Sequence, residues 1–328
     1  MISGNNQDSH YYLATLAGIL AILLWASNIA FSKRALEQAG TYNGAFYIYF
    51  CSGFVMFIIM LAGQRQTEFL GKLKNLPPAY YLRTGIFFII NNVLLFLAVG
   101  MARKNEELII VTLLNYTWPV MIYILRIPIF RLKTPMAVLI PGVLLSLTGI
   151  VLALLQDYDI GSVGRLMKAG DENFPAYLMA FLTSVSWALY SNLTVKYKNK
   201  DDMAAIPVIF MVSGLIFLGI QGLRGQLSSL RLSVETFSPD LLYLIIGPTS
   251  LGYLCWYIAM KNGNRTLITA LSFFIPVLSL IFLHIRVHLK IGPVFWIAVI
   301  LLISGSYLCF RALRSSTLLV KSGDLSGN

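Results

Sequence analysis

The chain has 328 residues, of which 57% are apolar and only 12% are charged, and its mean hydropathy is +0.74. Such a composition is far more apolar than that of soluble domains and has about half their usual charge, so it excludes a soluble globular protein. The net charge of +11 would suggest a nucleic-acid partner in a soluble protein, but here basic loops beside a lipid bilayer explain it better. We therefore expect an integral membrane protein without a nucleic-acid partner.

Ten apolar stretches follow one another along the chain, each near the 20 residues that cross a hydrocarbon core of about 30 Å. They lie at residues 12–31, 45–62, 85–101, 108–125, 138–155, 177–193, 206–223, 241–260, 267–285 and 294–310. All 25 Lys and Arg residues and all 14 Asp and Glu residues fall outside them. The sequence therefore predicts an all-α polytopic membrane protein with ten charge-free transmembrane helices.

The distribution of basic residues predicts the orientation of the chain. If the N-terminus is cytoplasmic, 15 of the 25 Lys and Arg residues lie on the cytoplasmic side and 10 on the other. An excess of positive charge inside sets orientation, so both tails, residues 1–11 and 314–328, are expected in the cytoplasm. The first apolar stretch is longer than a signal-peptide core and has no basic residue before it, so we expect it to be retained as a helix.

The longest acidic and glycine-containing loop, residues 156–176, separates five apolar stretches from five and is expected in the periplasm. The two halves, residues 12–155 and 177–313, show weak internal similarity. Residues 112–120 and 269–277 share Thr, Leu, Pro and Val at an offset of 157 residues. Because each half has an odd number of helices, the second copy enters the membrane from the opposite side. This pattern predicts two inverted five-helix repeats with alternating access through a central cavity between them.

Two prolines are expected to break helices at corresponding positions of the two halves. Pro119 has no N–H, so it leaves the carbonyl of Asn115 without its helical partner, and Pro276 does the same to Ser272. Irregular backbone at membrane depth survives only against protein or a wet cavity. A kink that a neighbouring helix satisfies and a binding site at the membrane midplane both fit this pattern.

Aromatic and amide side chains lie at membrane depth in several spans. Trp usually sits at the membrane interface, yet Trp118 and Trp187 are near the middle of their spans. An amide exposed to lipid is costly. Rings and amides that face a central cavity explain this placement; for each ring, contact with lipid or a neighbouring helix is the alternative. The predicted cavity residues are Trp25, Asn28, Asn92, Asn115, Tyr116, Trp118, Trp187, Tyr190, Tyr253, Trp256, Ser272 and Phe273.

The absence of charge from the predicted spans narrows the function. Proton-coupled carriers commonly use an Asp, Glu or His inside the membrane, and here the only histidine near a span is His284, close to the end of the ninth. We expect no buried carboxylate, and hence facilitated movement or coupling by another route. A neutral or zwitterionic, aromatic small molecule fits best, with its ring against Trp and Tyr and its ammonium near a ring face or a freed carbonyl.

The sequence contains no nucleophile motif, metal-ligand cluster or Gly-rich phosphate loop. We therefore predict no catalytic residue, no metal and no cofactor, and expect a protein that is not an enzyme. Cys51, Cys255 and Cys309 all lie within apolar stretches and form no disulfide framework.

Several short motifs resemble those of the EamA type of the drug/metabolite transporter superfamily, and most of all its branch of exporters of aromatic and other neutral amino acids, the YddG type. These motifs are AILLW at residues 21–25, NYTWP at 115–119, WALY at 187–190, GYLCW at 252–256 and NGN at 262–264. The resemblance implies ten helices as two inverted repeats and export from the cytoplasm. We expect a monomer in a bacterial inner membrane. Two alternatives stay open: a carrier of another small metabolite, such as a nucleoside, purine, adenosyl compound or amphipathic drug, and a membrane-embedded enzyme or receptor.

Overall fold

The structure is a computed structural model that describes residues 3–62, 66–132, 134–155, 172–197, 202–230, 237–272, 274–287 and 292–325. The described part of the chain is all-helical and contains no β-strand. The predicted loop at 156–176 lies almost wholly outside these ranges, as does the predicted cavity residue Phe273.

The α-helices are α1 (Ser3–Ala39), α2 (Thr41–Ala62), α3 (Gln66–Asn75), α4 (Pro78–Tyr80), α5 (Ile86–Met101), α6 (Asn105–Asn115), α7 (Trp118–Phe130), α8 (Met136–Leu155), α9 (Phe174–Lys196), α10 (Asp202–Leu223), α11 (Pro239–Ile246), α12 (Gly252–Asn262), α13 (Arg265–Ser272), α14 (Ile275–Val287) and α15 (Pro293–Leu325). Two π-helical segments, π1 (Tyr81–Gly85) and π2 (Gly247–Leu251), connect α4 to α5 and α11 to α12. A short 3₁₀ turn, Leu227–Ser229, follows α10.

Seven helical stretches among the described residues are long and apolar enough to cross a membrane. They are Ser9–Ala39, Thr41–Ala62, Pro78–Met101, Glu107–Phe130, Phe174–Lys196, Met203–Leu223 and Pro239–Asn262. Each contains one predicted span. The other three predicted spans fall on shorter apolar helices, Met136–Gly149, Ile275–Arg286 and Trp296–Ala312. The chain is therefore a multi-pass membrane protein, and ten crossings remain a prediction.

The helices form two compact units. Unit 1 comprises Met1–Gly85 and Lys200–Leu289. In it α1 contacts α11, α12, α13 and α14, while α2 lies along α10. Aromatic side chains fill the contact between α2 and α10: the ring of Tyr49 lies 5.7 Å from that of Phe210 and 6.3 Å from that of Phe217, and both phenylalanines are fully buried.

Unit 2 comprises Ile86–Asn199 and Lys290–Asn328. Here α9 contacts α5, α6 and α7, and α8 lies along α15. Phe88 and Phe96 of α5 are buried in this unit. Each unit thus takes helices from both of the predicted repeats.

Small residues bring α8 and α15 into close contact. A Cβ added at Gly142 would lie 2.9 Å from both the carbonyl oxygen of Gly305 and the amide nitrogen of Cys309. A Cβ added at Gly149 would lie 2.6 Å from the carbonyl oxygen of Ala298. Without side chains at these points the two backbones approach each other directly, as small residues allow in membrane helices.

Replacing Gly305 with alanine should destabilise the contact between α8 and α15. The new methyl group would overlap the carbonyl oxygen of Gly142 and the amide of Ser146, so the helices must separate. Such overpacking costs about 1–3 kcal/mol. Thermal unfolding of the purified protein in detergent measures the effect. Gly219→Ala in α10 is the control, because its Cβ would meet no atom within 4 Å; an equal melting temperature in the two variants would contradict the close contact.

The helices extend beyond the predicted spans and bring charged side chains with them. Glu107, in the first turn of α6, is only 5% exposed, so the prediction of no buried carboxylate is wrong. Its Oε2 accepts hydrogen bonds from the backbone N–H groups of Arg103 (2.6 Å) and Lys104 (3.2 Å), and its Oε1 accepts one from Nδ2 of Asn173 (3.0 Å). Capping of the helix start explains this burial, because the first amides of a helix have no partner within it.

Candidate functional site

In unit 1 three aromatic rings from α1 and α12 form a cluster at membrane depth. The ring centroid of Trp25 lies 5.0 Å from that of Tyr253, edge to face, and 5.0 Å from that of Trp256. All three side chains are partly exposed. We call these residues the unit 1 aromatic cluster. Its rings offer stacking surface without a formal charge.

The orientation of Trp25 is set by the irregular segment π2. Its indole Nε1 donates a hydrogen bond to the carbonyl oxygen of Pro248 at 3.2 Å. Gly252 lies directly beside the indole, and a Cβ at that position would be 2.9 Å from Nε1. The ring therefore fits only because residue 252 has no side chain and because a backbone carbonyl of π2 faces it.

The π2 segment exists because Pro248 interrupts the eighth span. Proline has no N–H to continue the helical ladder, and neighbouring hydroxyl groups bond the displaced backbone. The carbonyl of Ile245 accepts hydrogen bonds from Ser52 Oγ (3.0 Å) and Ser250 Oγ (2.6 Å). Sequence analysis did not single out Pro248, Ser52 or Ser250, although a Gly-Pro pair within an apolar stretch signals such a break.

Unit 2 has an aromatic cluster of its own, formed by α5 and α9. The ring of Phe88 lies 5.5 Å from Trp187 and 4.7 Å from Tyr190, and the latter two rings are 5.6 Å apart. Phe88 and Tyr190 are buried, whereas Trp187 is partly exposed. We call these residues the unit 2 aromatic cluster. Sequence analysis singled out Trp187 and Tyr190 but missed Phe88, because one Phe in an apolar span has no distinguishing signal.

The fourth and the ninth span each contain a helix break, and the two breaks have a matching backbone hydrogen bond. The fourth span breaks between α6 and α7, where the amide of Thr117 donates to the carbonyl of Leu114 (3.2 Å). The ninth span breaks between α13 and α14, where the amide of Phe274 donates to the carbonyl of Leu271 (3.0 Å). The residues involved are 157 positions apart, which is the predicted repeat offset. Pro119 is the second residue of α7.

Polar contacts hold the first break against α9. Thr117 Oγ1 lies 2.7 Å from the carbonyl oxygen of Leu114 and 2.7 Å from Oγ of Ser184, and forms hydrogen bonds with both. One turn beyond the break, Nδ2 of Asn192 donates to the carbonyl oxygen of Ile122 at 2.9 Å. These contacts with α9 support irregular backbone at this depth, while the roles of the two prolines in forming a site remain predictions.

The other predicted cavity residues differ in burial. Asn28, Asn115 and Trp118 are partly exposed. Asn92, Tyr116 and Ser272 are 2%, 5% and 7% exposed, respectively. A ligand contacts accessible atoms, so the partly exposed side chains are the stronger candidates. For all of these residues a role in ligand binding remains a prediction.

A polar cavity of about 550 Å³ lies in unit 1 where α1, α2 and the end of α10 meet. Gln38, Thr41, Asn43, Gln221 and Ser228 line it, and Gln221 Nε2 donates to Asn43 Oδ1 at 2.8 Å. None of the predicted site residues faces this cavity. Within the described ranges, no group of three His, Cys, Asp or Glu side chains could hold a metal ion.

Broken helices within a multi-pass membrane protein, together with aromatic clusters in its spans, fit one class of protein, the membrane transporters. Two stretches of the chain, residues 12–155 and 174–311, match the EamA-like transporter family. Together they cover most of the chain, which therefore belongs to this family.

Similar proteins extend over nearly the whole chain. It is 26% identical over 304 residues to the aromatic amino acid exporter YddG of Salmonella typhimurium, and 27% identical over 304 residues to that of Escherichia coli. Each match covers 92% of this chain and 98% of the relative. An uncharacterized transporter of Archaeoglobus fulgidus is 25% identical over 309 residues, which are 92% of this chain and 97% of the relative. A solved crystal structure with 24% identity has the same fold, with a TM-score of 0.61 over 92% of this chain and 98% of its own.

Proposed function

We propose that this transporter exports aromatic or other neutral amino acids from the cytoplasm by alternating access. The observation that carries the proposal is the unit 1 aromatic cluster, formed by Trp25, Tyr253 and Trp256. Its rings are partly exposed, lie within apolar spans and carry no formal charge. An aromatic side chain stacks on such rings, and an ammonium group is attracted to a ring face. Two relatives named as aromatic amino acid exporters support the substrate class.

We also propose ten transmembrane helices arranged as two inverted five-helix repeats. Contacts within each unit support this arrangement, because the helix contacts of unit 2 are those of unit 1 with the two repeats exchanged. In unit 1, α1 of the first repeat contacts α12 and α14 of the second. In unit 2, α9 of the second repeat contacts α5 and α7 of the first. Exchanging the repeats turns one set of contacts into the other, as expected for a pseudo-twofold relation.

Close glycine contacts support the same relation. Gly142 of α8 faces Gly305 of α15, and Gly149 faces Ala298. At an offset of 156 residues, 142 corresponds to 298 and 149 to 305. Replacing each residue by its counterpart in the other repeat therefore turns the contact of Gly142 with Gly305 into the contact of Ala298 with Gly149. An antiparallel pair of helices from equivalent positions in two inverted repeats has this property.

The proposed orientation places both termini in the cytoplasm of a bacterial cell, with the protein in the inner membrane as a monomer. The excess of basic residues in the loops assigned to the cytoplasm, 15 against 10, supports this orientation. It puts the end of α7 on the cytoplasmic side and the start of α11 on the periplasmic side.

Counterflow in proteoliposomes tests the function. Vesicles containing the purified protein are loaded with unlabelled phenylalanine, and entry of radiolabelled phenylalanine is followed; a parallel set uses adenosine. We expect transient accumulation of phenylalanine and none of adenosine. Accumulation of adenosine alone would favour a carrier of another small metabolite. Movement of neither, in a protein that binds phenylalanine, would favour a receptor or a membrane-embedded enzyme.

A further inference from the structure

Gly252, the first residue of α12, is buried against the indole of Trp25. A Cβ added at residue 252 would lie 2.9 Å from Nε1 and 3.1 Å from Cδ1 of that indole. The next nearest atom outside its own helical turn, the carbonyl oxygen of Gly247, would be 3.6 Å away, which is an ordinary van der Waals contact. The indole is therefore the group that a methyl at this position would displace.

The backbone does not require glycine at this position. Gly252 has φ −55° and ψ −48°, which are helical values that any L-residue adopts. Its N–H donates to the carbonyl oxygen of Gly247, and this bond, which a side chain would leave in place, closes the π2 segment. Alanine also has a higher helix propensity than glycine. The absence of a side chain at residue 252 is thus needed for the indole and not for the main chain.

Further contacts fix the orientation of the indole. Its Nε1 donates to the carbonyl oxygen of Pro248 at 3.2 Å, the long end of the usual range for such a bond. The rings of Tyr253 and Trp256, on the same helix as Gly252, each have their centroid 5.0 Å from that of the indole. A methyl group at residue 252 would push Nε1 out of this arrangement. The hydrogen bond would weaken, and the indole would turn relative to both neighbouring rings.

We propose that Gly252 is a positioning residue for ligand binding: it lets the indole of Trp25 take the orientation in which an aromatic side chain of the transported amino acid stacks on it. Contacts between aromatic rings depend on their mutual angle, because ring faces are negative and ring edges positive. Burial of apolar area has no such directional requirement. Gly252 therefore sets the preference for an aromatic over a saturated side chain of similar size. This inference rests on the proposed function and adds a determinant of specificity to it.

Ligand-dependent thermal stabilisation of the purified full-length protein tests the proposal, because it needs no transport. Bound ligand raises the melting temperature as its concentration exceeds Kd. The probes are phenylalanine and cyclohexylalanine, its saturated analogue. Gly252→Ala should require about threefold to tenfold more phenylalanine for the same shift, which is the range expected for the loss of one hydrogen bond. Its response to cyclohexylalanine should change by less than about twofold, because an apolar contact tolerates a small turn of the indole.

A double-mutant cycle with Trp25→Ala separates positioning of the indole from a general effect on the fold. Without the indole the new methyl group has no ring to displace, so adding Gly252→Ala should leave the phenylalanine response of Trp25→Ala unchanged within about twofold. Phenylalanine concentrations are raised about thirtyfold for these two variants, to match the loss expected for Trp25→Ala. Equal weakening by Gly252→Ala in both backgrounds would overturn the proposal, because residue 252 would then act independently of the indole.

Gly219→Ala is the matched control, because it adds the same methyl group to a helix of unit 1 at a point where it meets no atom within 4 Å. Neither ligand response should change in this variant. If phenylalanine stabilises Gly252→Ala as well as wild type, or if Gly252→Ala weakens both ligands equally, the proposal is wrong. Absence of both phenylalanine binding and counterflow in wild type would instead refute the proposed function. The two failures are therefore distinguishable.

Discussion

Trp25→Ala should lower phenylalanine counterflow about tenfold to thirtyfold while the protein stays folded. The substitution removes the ring that contacts both Tyr253 and Trp256, together with its hydrogen bond to the carbonyl of Pro248. The indole is also a stacking surface for an aromatic ligand, and one stacking contact together with the apolar area that it buries is worth about 1.5–2 kcal/mol, of which 1.4 kcal/mol corresponds to tenfold in binding. Initial rates at substrate concentrations well below saturation, in proteoliposomes of equal protein content, measure the loss.

Trp296→Ala is the matched control for this prediction. Trp296 lies in α15, is 48% exposed and belongs to neither aromatic cluster. Its removal changes the same number of atoms on the surface of the helix, so flux should remain near that of wild type. Equal flux in the two variants would remove Trp25 from the binding region. Equal losses would point to a general effect of losing a tryptophan at the membrane.

Asp240→Asn should lower the free energy of unfolding by about 2–3 kcal/mol, because it leaves the charge of Arg286 without its counter-ion. The carboxylate of Asp240 bonds Arg286 through both oxygens and lies 3.7 Å from Nε of Arg34. The side chains of Asp240 and Arg286 are only 13% and 28% exposed, so solvent screens the pair weakly. Arg286 also lies 4.4 Å above the ring of Phe31. Thermal unfolding in detergent at constant salt measures the change.

Glu68→Gln gives the comparison for an exposed ion pair. Glu68 lies 2.6 Å from Lys72 on α3, with side chains that are 41% and 30% exposed. Exposed pairs on a helix contribute about 0.3–0.5 kcal/mol, so this variant should unfold close to wild type. If Asp240→Asn unfolds at the same temperature as Glu68→Gln, the three-residue contact of Arg34, Asp240 and Arg286 does not hold α1, α11 and α14 together.

Periodicity and composition predicted the spans well because lipid imposes a simple rule on a helix: about 20 apolar residues without charge. Seven predicted spans lie within helices long enough to cross a membrane, and the other three on shorter apolar helices. Both breaks followed from Pro119 and Pro276, since proline removes a backbone donor wherever it stands. The expectation of no buried carboxylate failed at a helix end, where Glu107 is buried because its side chain caps the start of α6.

Partners between helices were beyond prediction because they depend on contacts across long sequence distances. Trp25 was singled out as a ring in the first span, but only the tertiary structure pairs it with the carbonyl of Pro248, 223 residues away. The bond between Arg286 and Asp240 joins two loop-flanking residues whose charges showed no special pattern. Phe88, in the unit 2 aromatic cluster, was one apolar residue among many.

The sequence by itself determined that this protein crosses the membrane repeatedly, that its fourth and ninth spans break at corresponding prolines, and that its spans carry rings and amides in place of charge. Those properties follow from composition and local backbone chemistry. The tertiary structure decided which rings meet, which carbonyls receive a donor, and that the guanidinium of Arg286 has a carboxylate partner in Asp240. Such choices depend on helix contacts, because two side chains interact only when the fold places their atoms a few ångströms apart.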